Sequence, residues 1–474
     1  MADSQLDLVL RGGTVVTAEG QRQADLGIRD GRVARVEDRA DGGLTGAREI
    51  DATGRLLLPG GVDPHVHVHT EGLDPGEPTW VDDYLSGSQA ALAGGITSIG
   101  NMSPVLPWET IADRVRAEET MVARQAIADA FFHTVVVAPS PALIDEVGRA
   151  VGGGQSSMKI FMCLPTFEAS VPQFTRVMKA TGDAGGITLV HCEDLATIEC
   201  CTTMLADQSH ADLGHFAESR PVEAETVATE RAIAMCRATR APTYIVHLSS
   251  ARALAACAAA RAEGLPLYVE TRPLYLHMTA ERYRGPEGAL YVAQPPLRDR
   301  ADQEALWRGL IDGTIDTIAS DHAPWTRALK LDPKLDVAHC RSGVAELDTM
   351  LPLLYTEGVM TGLLSPERFV ALTSTNAARL FGMYPRKGTI AVGSDADIAI
   401  WETRERRTIR DEDLFSRAAH SVYAGRELRA WPVATLRRGE VVFENGKVLG
   451  RPGSGRPIGR GPTTALSGSR AQRG

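Results

Sequence analysis

A chain of 474 residues outgrows a single hydrophobic core, so one large barrel with an accessory domain is the expectation. Apolar residues make up 43% and charged residues 23%, as in an ordinary globule, and a net charge of -10 with no basic stripe argues against a nucleic-acid partner. No apolar run approaches the roughly 20 residues that span a bilayer, which speaks against a membrane partner. The start MADSQLDLVLRGG lacks a basic stretch followed by a long apolar core, and the seven cysteines include no CxxC pair, so a reduced, cytoplasmic protein is expected.

Residues 1–57 read as short strands with hairpin signals. LDLVLRGGTVVT precedes ADLGIRDGRVARVE, in which Asp30-Gly31 separates two alternating apolar-polar runs. Residues 58–386 alternate differently. Eight short apolar segments appear there: RLLLPGGVD, GITSIGNM, FFHTVVVA, SSMKIFMC, GITLVHCE, PTYIVHLS, LPLYVETR and TIDTIASD. Helix-like stretches such as DDYLSGSQAALAGG and EAETVATERAIAMCRAT lie between most of them, several ending in glycine. Such alternation builds a parallel sheet, and eight units predict an α/β fold closed as a (β/α)8 TIM-like barrel. An open sheet is the rival, but no GxGxxG follows the first strand. SPERFVALTSTNAARLFG reads as a further helix pair. Residues 387–450 return to strand texture, with an Asn445-Gly446 turn, so both chain ends are expected to pair into one small β-sandwich. Residues 451–474 are rich in Gly, Ser, Pro and Arg and are expected to be disordered.

Barrel enzymes gather their chemistry at the C-terminal ends of the strands. In GGVDPHVHVHT three histidines recur at every second position, which on a strand puts them on one side. His65 and His67 end strand one, Lys159 lies in strand four, and His191 ends strand five; His247 ends strand six and Asp321 strand eight. Imidazole and carboxylate are ligands suited to zinc and similar divalent ions. Only six of the 50 basic residues are lysine, so a lysine inside apolar SSMKIFM needs a reason. A buried ammonium requires an ion-pair partner, or its pKa falls until the free amine takes up carbon dioxide as an anionic carbamate. Spacing leaves both open.

Taken together, DPHVHVH, SSMKIFM, LVHCED, IVHLSS and ASDHAP resemble the amidohydrolase superfamily, in its cyclic amidase branch of hydantoinase (dihydropyrimidinase), allantoinase and dihydroorotase. The late stretch STNAARLFGMYPRKGTIAVGSDADIAIWE is most similar to hydantoinases. The resemblance implies two divalent metal ions, usually zinc. His65, His67 and Asp321 would hold the buried ion and His191 and His247 the exposed one, with N6-carboxylated Lys159 bridging them. It implies a hydrolase that opens a cyclic amide (hydantoin, dihydropyrimidine or a related ureide, imide or lactam) with a metal-bridging hydroxide. Asp321 would serve as general base and pass the proton to the leaving nitrogen. It further implies a small-molecule substrate and a homo-oligomer, tetramer or dimer.

This chain departs from the hydantoinase pattern at Leu164. Hydantoinases usually carry a tyrosine five residues after the bridging lysine, donating to the oxyanion, and leucine has no donor. Allantoinases also lack that tyrosine and stay in contention. Dihydroorotases carry an arginine where His69 stands, although Arg272 after strand seven could supply a cation. Substrate contacts implied by the resemblance fall on Gln294 in YVAQPPLR and on the backbone of Ser342 or Gly343 in RSGVAELDTM. TEGLDPGEPTW is expected to be a lid or specificity loop, with Trp80 shaping the pocket. His69 and His322 match no ligand position. The alternative of another class is a metal-free scaffold on the same fold; such proteins lose ligands, whereas all six are present here.

Overall fold

The computed structural model describes residues 5–38, 43–68 and 78–466. Eight parallel strands follow one another in chain order around a barrel: β1 (Gly61–Val66), β2 (Ile96–Pro104), β3 (Asp129–Val135), β4 (Ser157–Phe161), β5 (Ile187–His191), β6 (Thr243–Ile245), β7 (Leu267–Thr271) and β8 (Thr317–Ile318). Helices such as Tyr84–Ala93, Val171–Asp183, Val222–Thr239 and Ala251–Ala262 alternate with them. Covered outside by helices and filled inside by side chains, the strands are apolar along their length; every residue of β1, β2, β3 and β5 is buried. Helix starts are set by local chemistry, with Ser140, Ser250 and Asp299 accepting amide hydrogens of the turns they cap. The ring closes between its first and last strands. Val66 bridges His322 in parallel, and the His67 N–H donates to His322 O at 2.7 Å.

The first apolar run, RLLLPGGVD, serves two sheets rather than one. Leu56–Pro59 pairs with Leu6–Thr17 and Ile398–Glu402 in the terminal sheet, and β1 begins only at Gly61. Gly60 makes the turn between them, where a Cβ would lie 2.2 Å from Thr97 Oγ1. Both chain ends meet in that terminal sheet of nine strands. Its order is Lys447–Val448, Glu440–Glu444, Trp431–Arg437, Ile398–Glu402, Leu56–Pro59, Leu6–Thr17, Gly20–Arg29 and Arg32–Asp38, with Gly46–Asp51 beside Leu6–Thr17. Leu10, Leu26, Ile28, Leu57, Ile398, Ile400 and Leu436 share one core, so the two ends fold as a unit. The hairpin signals hold: Asp30-Gly31 has φ 53° and 75°, and Asn445-Gly446 has 48° and 76°.

Two expectations fail. SPERFVALTSTNAARLFG forms one continuous helical stretch, Pro366 to Leu380, not a pair. No glycine or proline interrupts it; the turn merely widens over Ala371–Thr375, where Thr373 Oγ1 donates back to Phe369 O at 2.7 Å. The disorder expected of residues 451–474 does not hold for 451–466. There the Ala130 N–H donates to Arg456 O at 3.0 Å, and the Ile458 N–H donates to Ala130 O at 2.7 Å. Buried Arg460 donates to Ser157 Oγ at 2.7 Å and to Phe132 O at 2.6 Å. A segment without a core of its own is ordered by the barrel it lies against. Residues 467–474 lie outside the described residues. No described helix is long and apolar enough to cross a membrane.

Candidate metal centre

Closing β1 against β8 brings His65 and His67 to Asp321. Their Nε2 atoms stand 3.3 and 3.2 Å from Asp321 Oδ1, and the three residues offer ligand atoms within 4.8 Å of one another. His191 Nδ1, at the end of β5, and His247 Nε2, just past β6, are 2.9 Å apart. The four rings form one string, with centroids 5.3 Å apart from His67 to His65, 5.4 Å from His65 to His247 and 4.6 Å from His247 to His191. Lys159 is fully buried on β4, its Nζ 4.6 Å over the Phe161 ring and, among the described residues, without a hydrogen-bond partner. Asp321 and His247 have φ of 46° and 37°. Left-handed backbone at a non-glycine residue costs about 1–3 kcal/mol and persists where the surroundings impose it, here at two prospective ligands.

The electrostatics suit a cation. Burial lowers the pKa of His65, His67 and His247, leaving neutral imidazoles, the form a metal ion takes. Burial also lowers His191, but Cys163 and Glu193 outweigh it and carry it up to about 9, so a positive charge is favoured there. Burial pulls the Lys159 amine down to about 8 against the charges of Glu270 and Asp321. Burial would raise Asp321, yet Arg272 and His65 hold its carboxyl well below the usual range.

Several groups at this centre were not anticipated. Glu270, on β7, accepts from His65 Nδ1 at 2.9 Å, from the His247 N–H at 2.9 Å and from Tyr244 OH at 2.8 Å. That contact fixes the His65 tautomer and turns Nε2 toward Asp321. Glu193 likewise accepts from His191 Nε2 at 2.8 Å and is held by Arg220 at 2.8 Å. Both carboxylates interrupt apolar stretches, LPLYVETR and LVHCED, and that interruption is the signal that marks them. Arg272 is wholly enclosed, donating to Asp321 Oδ2 at 2.5 Å and to Glu346 Oε2 at 2.6 Å, so it is not open to a ligand carboxylate. His322 is structural: Nε2 donates to Asp82 at 2.9 Å and Nδ1 accepts the Glu346 N–H at 3.1 Å.

Among the substrate-contact expectations, Leu164 is half-buried at the start of the short helix Pro165–Ala169, and Gln294 is also half-buried. Ser342 is half-buried with its carbonyl on Trp325 Nε1 at 2.8 Å. Gly343 departs from expectation. Its N–H donates to Val292 O at 3.0 Å and its carbonyl accepts from Lys330 Nζ at 2.5 Å, so its backbone is engaged internally. With φ 120° and a would-be Cβ 2.4 Å from Ala323 O, only glycine fits there. The Trp80 ring lies 4.6 Å from that of His67 and 6.4 Å from that of Trp325, a wall beside the candidate metal ligands. His69 and most of the expected lid, residues 69–77, lie outside the described residues.

Three neutral imidazoles, an ionised aspartate and a lysine without a hydrogen-bond partner among the described residues mark the C-terminal mouth of a metal-binding (β/α)8 barrel. The profile of the Amidohydrolase family matches residues 56–442, and the chain belongs to that family. A D-phenylhydantoinase of Escherichia coli is 35% identical over 458 residues, covering 96% of this chain and 98% of that one. Dihydropyrimidinase from Brevibacillus agri NCHU1002 superposes with a TM-score of 0.90 at 33% identity, covering 96% of this chain and 99% of that one. D-hydantoinase from a Bacillus sp. AR9 gives 0.91 at 35% identity, with the same coverage.

Proposed function

We propose that this chain hydrolyses a cyclic amide at a centre of two divalent metal ions, with zinc the ion its nitrogen-rich ligand set suits. The observation that carries the reading is the pair of orphaned atoms near Asp321: His65 Nε2 and Lys159 Nζ are buried and, among the described residues, have no hydrogen-bond partner. A buried unpaired polar group costs about 1–3 kcal/mol, a penalty that a bound cation and a carboxylated amine remove. On this reading His65, His67 and Asp321 would hold one ion and His191 and His247 the other, with Lys159, carboxylated by addition of carbon dioxide to its free amine and loss of a proton, as a further ligand. The lowered pKa of about 8 keeps that amine partly free at neutral pH.

When bound, the ions polarise the scissile carbonyl and provide a hydrolytic nucleophile at neutral pH. The residues do the rest. Asp321 Oδ1 faces both first-strand histidines while Arg272 restrains Oδ2. Asp321 holds the proton released as the ring is attacked and delivers it to the leaving nitrogen. Gln294 and Ser342 contact the ring, and Trp80 and Trp325 exclude water from one side. Hydantoins and dihydropyrimidines are the first candidates, given the names of the relatives. A carboxylated ring is disfavoured because Arg272 is enclosed. Assembly as a tetramer or dimer rests on the resemblance alone and is read by light scattering.

The test is a panel of hydantoins, dihydropyrimidines, allantoin, dihydroorotate, cyclic imides and lactams with zinc-loaded protein. Turnover of a hydantoin or dihydropyrimidine is expected. Protein holding two ions per chain and inert toward every ring would reject the proposal.

A further inference from the structure

We infer that Lys330 is a positioning residue for substrate binding, its side-chain nitrogen locking together the two segments that carry Gln294 and Ser342. Lys330 ends the short helix Arg327–Lys330 that follows β8 and is 1% exposed. Its Nζ donates to Val292 O at 2.7 Å and to Gly343 O at 2.5 Å. The Gly343 N–H donates to the same Val292 O at 3.0 Å, so three hydrogen bonds stitch the two segments at one point. Burial pulls the Lys330 amine down to about 7, with Cys340 raising it and Arg272 lowering it, and no carboxylate is among these causes. Burying an ammonium is costly, and a methionine would fill the same space without that cost. What the lysine adds is its donors.

The two segments bracket Asp321. On one side Pro295 O accepts from Tyr275 OH at 2.6 Å, and the Tyr275 ring lies 5.8 Å from the Arg272 guanidinium that holds Asp321. On the other side Val344 bridges His322, the Ala323 N–H donates to Val344 O at 3.1 Å, and Trp325 Nε1 donates to Ser342 O at 2.8 Å. Lys330 bonds to both. The inference rests on the proposed function in taking Gln294 and Ser342 as ring contacts. Without the lysine nitrogen Gly343 O loses its donor and Val292 O keeps only the Gly343 N–H, so one hydrogen bond of the three remains and the segments loosen, while the proposed metal ligands, on or just past the strands, keep their places. The loss therefore falls on substrate binding.

The experiment compares wild-type and Lys330→Met protein, both full-length and zinc-loaded, on whichever ring of the panel the wild type opens. KM should rise about tenfold with kcat within about threefold, at unchanged zinc content. Hydrogen–deuterium exchange supplies a reading that needs no turnover: peptides spanning 292–296 and 341–344 should exchange about tenfold faster while β1 to β5 keep their protection. If the methionine variant does not accumulate, Lys330→Gln is measured the same way, since its amide donates but stops short of the two carbonyls. An unchanged KM, unchanged exchange in both segments, or a joint loss of zinc and kcat would overturn the inference. A wild type inert on the whole panel rejects the proposed function instead, and the exchange comparison then decides on Lys330.

Discussion

Arg272 and Asp321 form an ion pair inside the barrel mouth, Nη1 to Oδ2 at 2.5 Å, with the arginine wholly buried. The same guanidinium holds Glu346, whose other oxygen accepts from Tyr423 OH. A fork that grips one oxygen of Asp321 leaves the other facing His65 and His67, which suits a residue that must act at one atom. Arg272→Met strands Glu346 and Asp321 as uncompensated buried charges. We expect a loss of about 3–5 kcal/mol in denaturant unfolding. Initial rates should show kcat falling with it. Arg272→Lys keeps the charge but not the fork, so stability should recover more than kcat.

Asp321→Asn preserves shape and removes the carboxylate. Turnover is expected to fall by about 10²–10⁴-fold, the range of a lost general acid–base group, with an unchanged circular dichroism spectrum. Retained turnover would remove Asp321 from the proton's path.

Lys159 predicts both a rescue and a pH dependence. Lys159→Ala should regain activity when short carboxylic acids and zinc are added, since they restore a bridging oxygen pair. In wild-type protein the pKa of about 8 lies below the ordinary lysine value, so the free amine is populated at a lower pH than usual. Its fraction grows about fivefold between pH 7 and pH 8 and levels off above. Recovery of metal-free protein with zinc at fixed dissolved carbon dioxide should accelerate with pH over that interval. A flat rate, with no rescue of the alanine variant, would mean that Lys159 remains a plain amine.

Leu164 has no donor for a developing oxyanion. Leu164→Tyr is expected to raise kcat on simple dihydropyrimidines about tenfold, below the roughly 10²–10³-fold of a fully preorganised oxyanion donor. An unchanged rate would place residue 164 away from the reacting carbonyl.

Much of the barrel was legible because parallel strands buried on both faces announce themselves as apolar runs, and ligands at their ends stand out as polar punctuation. His65 and His67 are the plainest case. What stayed hidden depends on partners distant in the chain. RLLLPGGVD looks like one strand because an apolar run does not say which sheet it joins; only the Thr97 side chain packed against Gly60 shows where it divides. Arg460 sits in a stretch whose composition signals disorder, yet Ser157 and Phe132 await it. Glu270 could have been found by the argument applied to Lys159, a charge inside an apolar strand. Lys330 could not, since its partners are backbone carbonyls that no side-chain pattern reports.

The most direct measurement is anomalous diffraction at the zinc absorption edge from crystals of the zinc-loaded protein. Two peaks are expected at the barrel mouth. One should lie about 2.0–2.2 Å from His65, His67 and Asp321 and the other about 2.0–2.1 Å from His191 and His247, with density beyond Lys159 Nζ reaching both. Density with neither peak, and an unextended Lys159, would contradict the account.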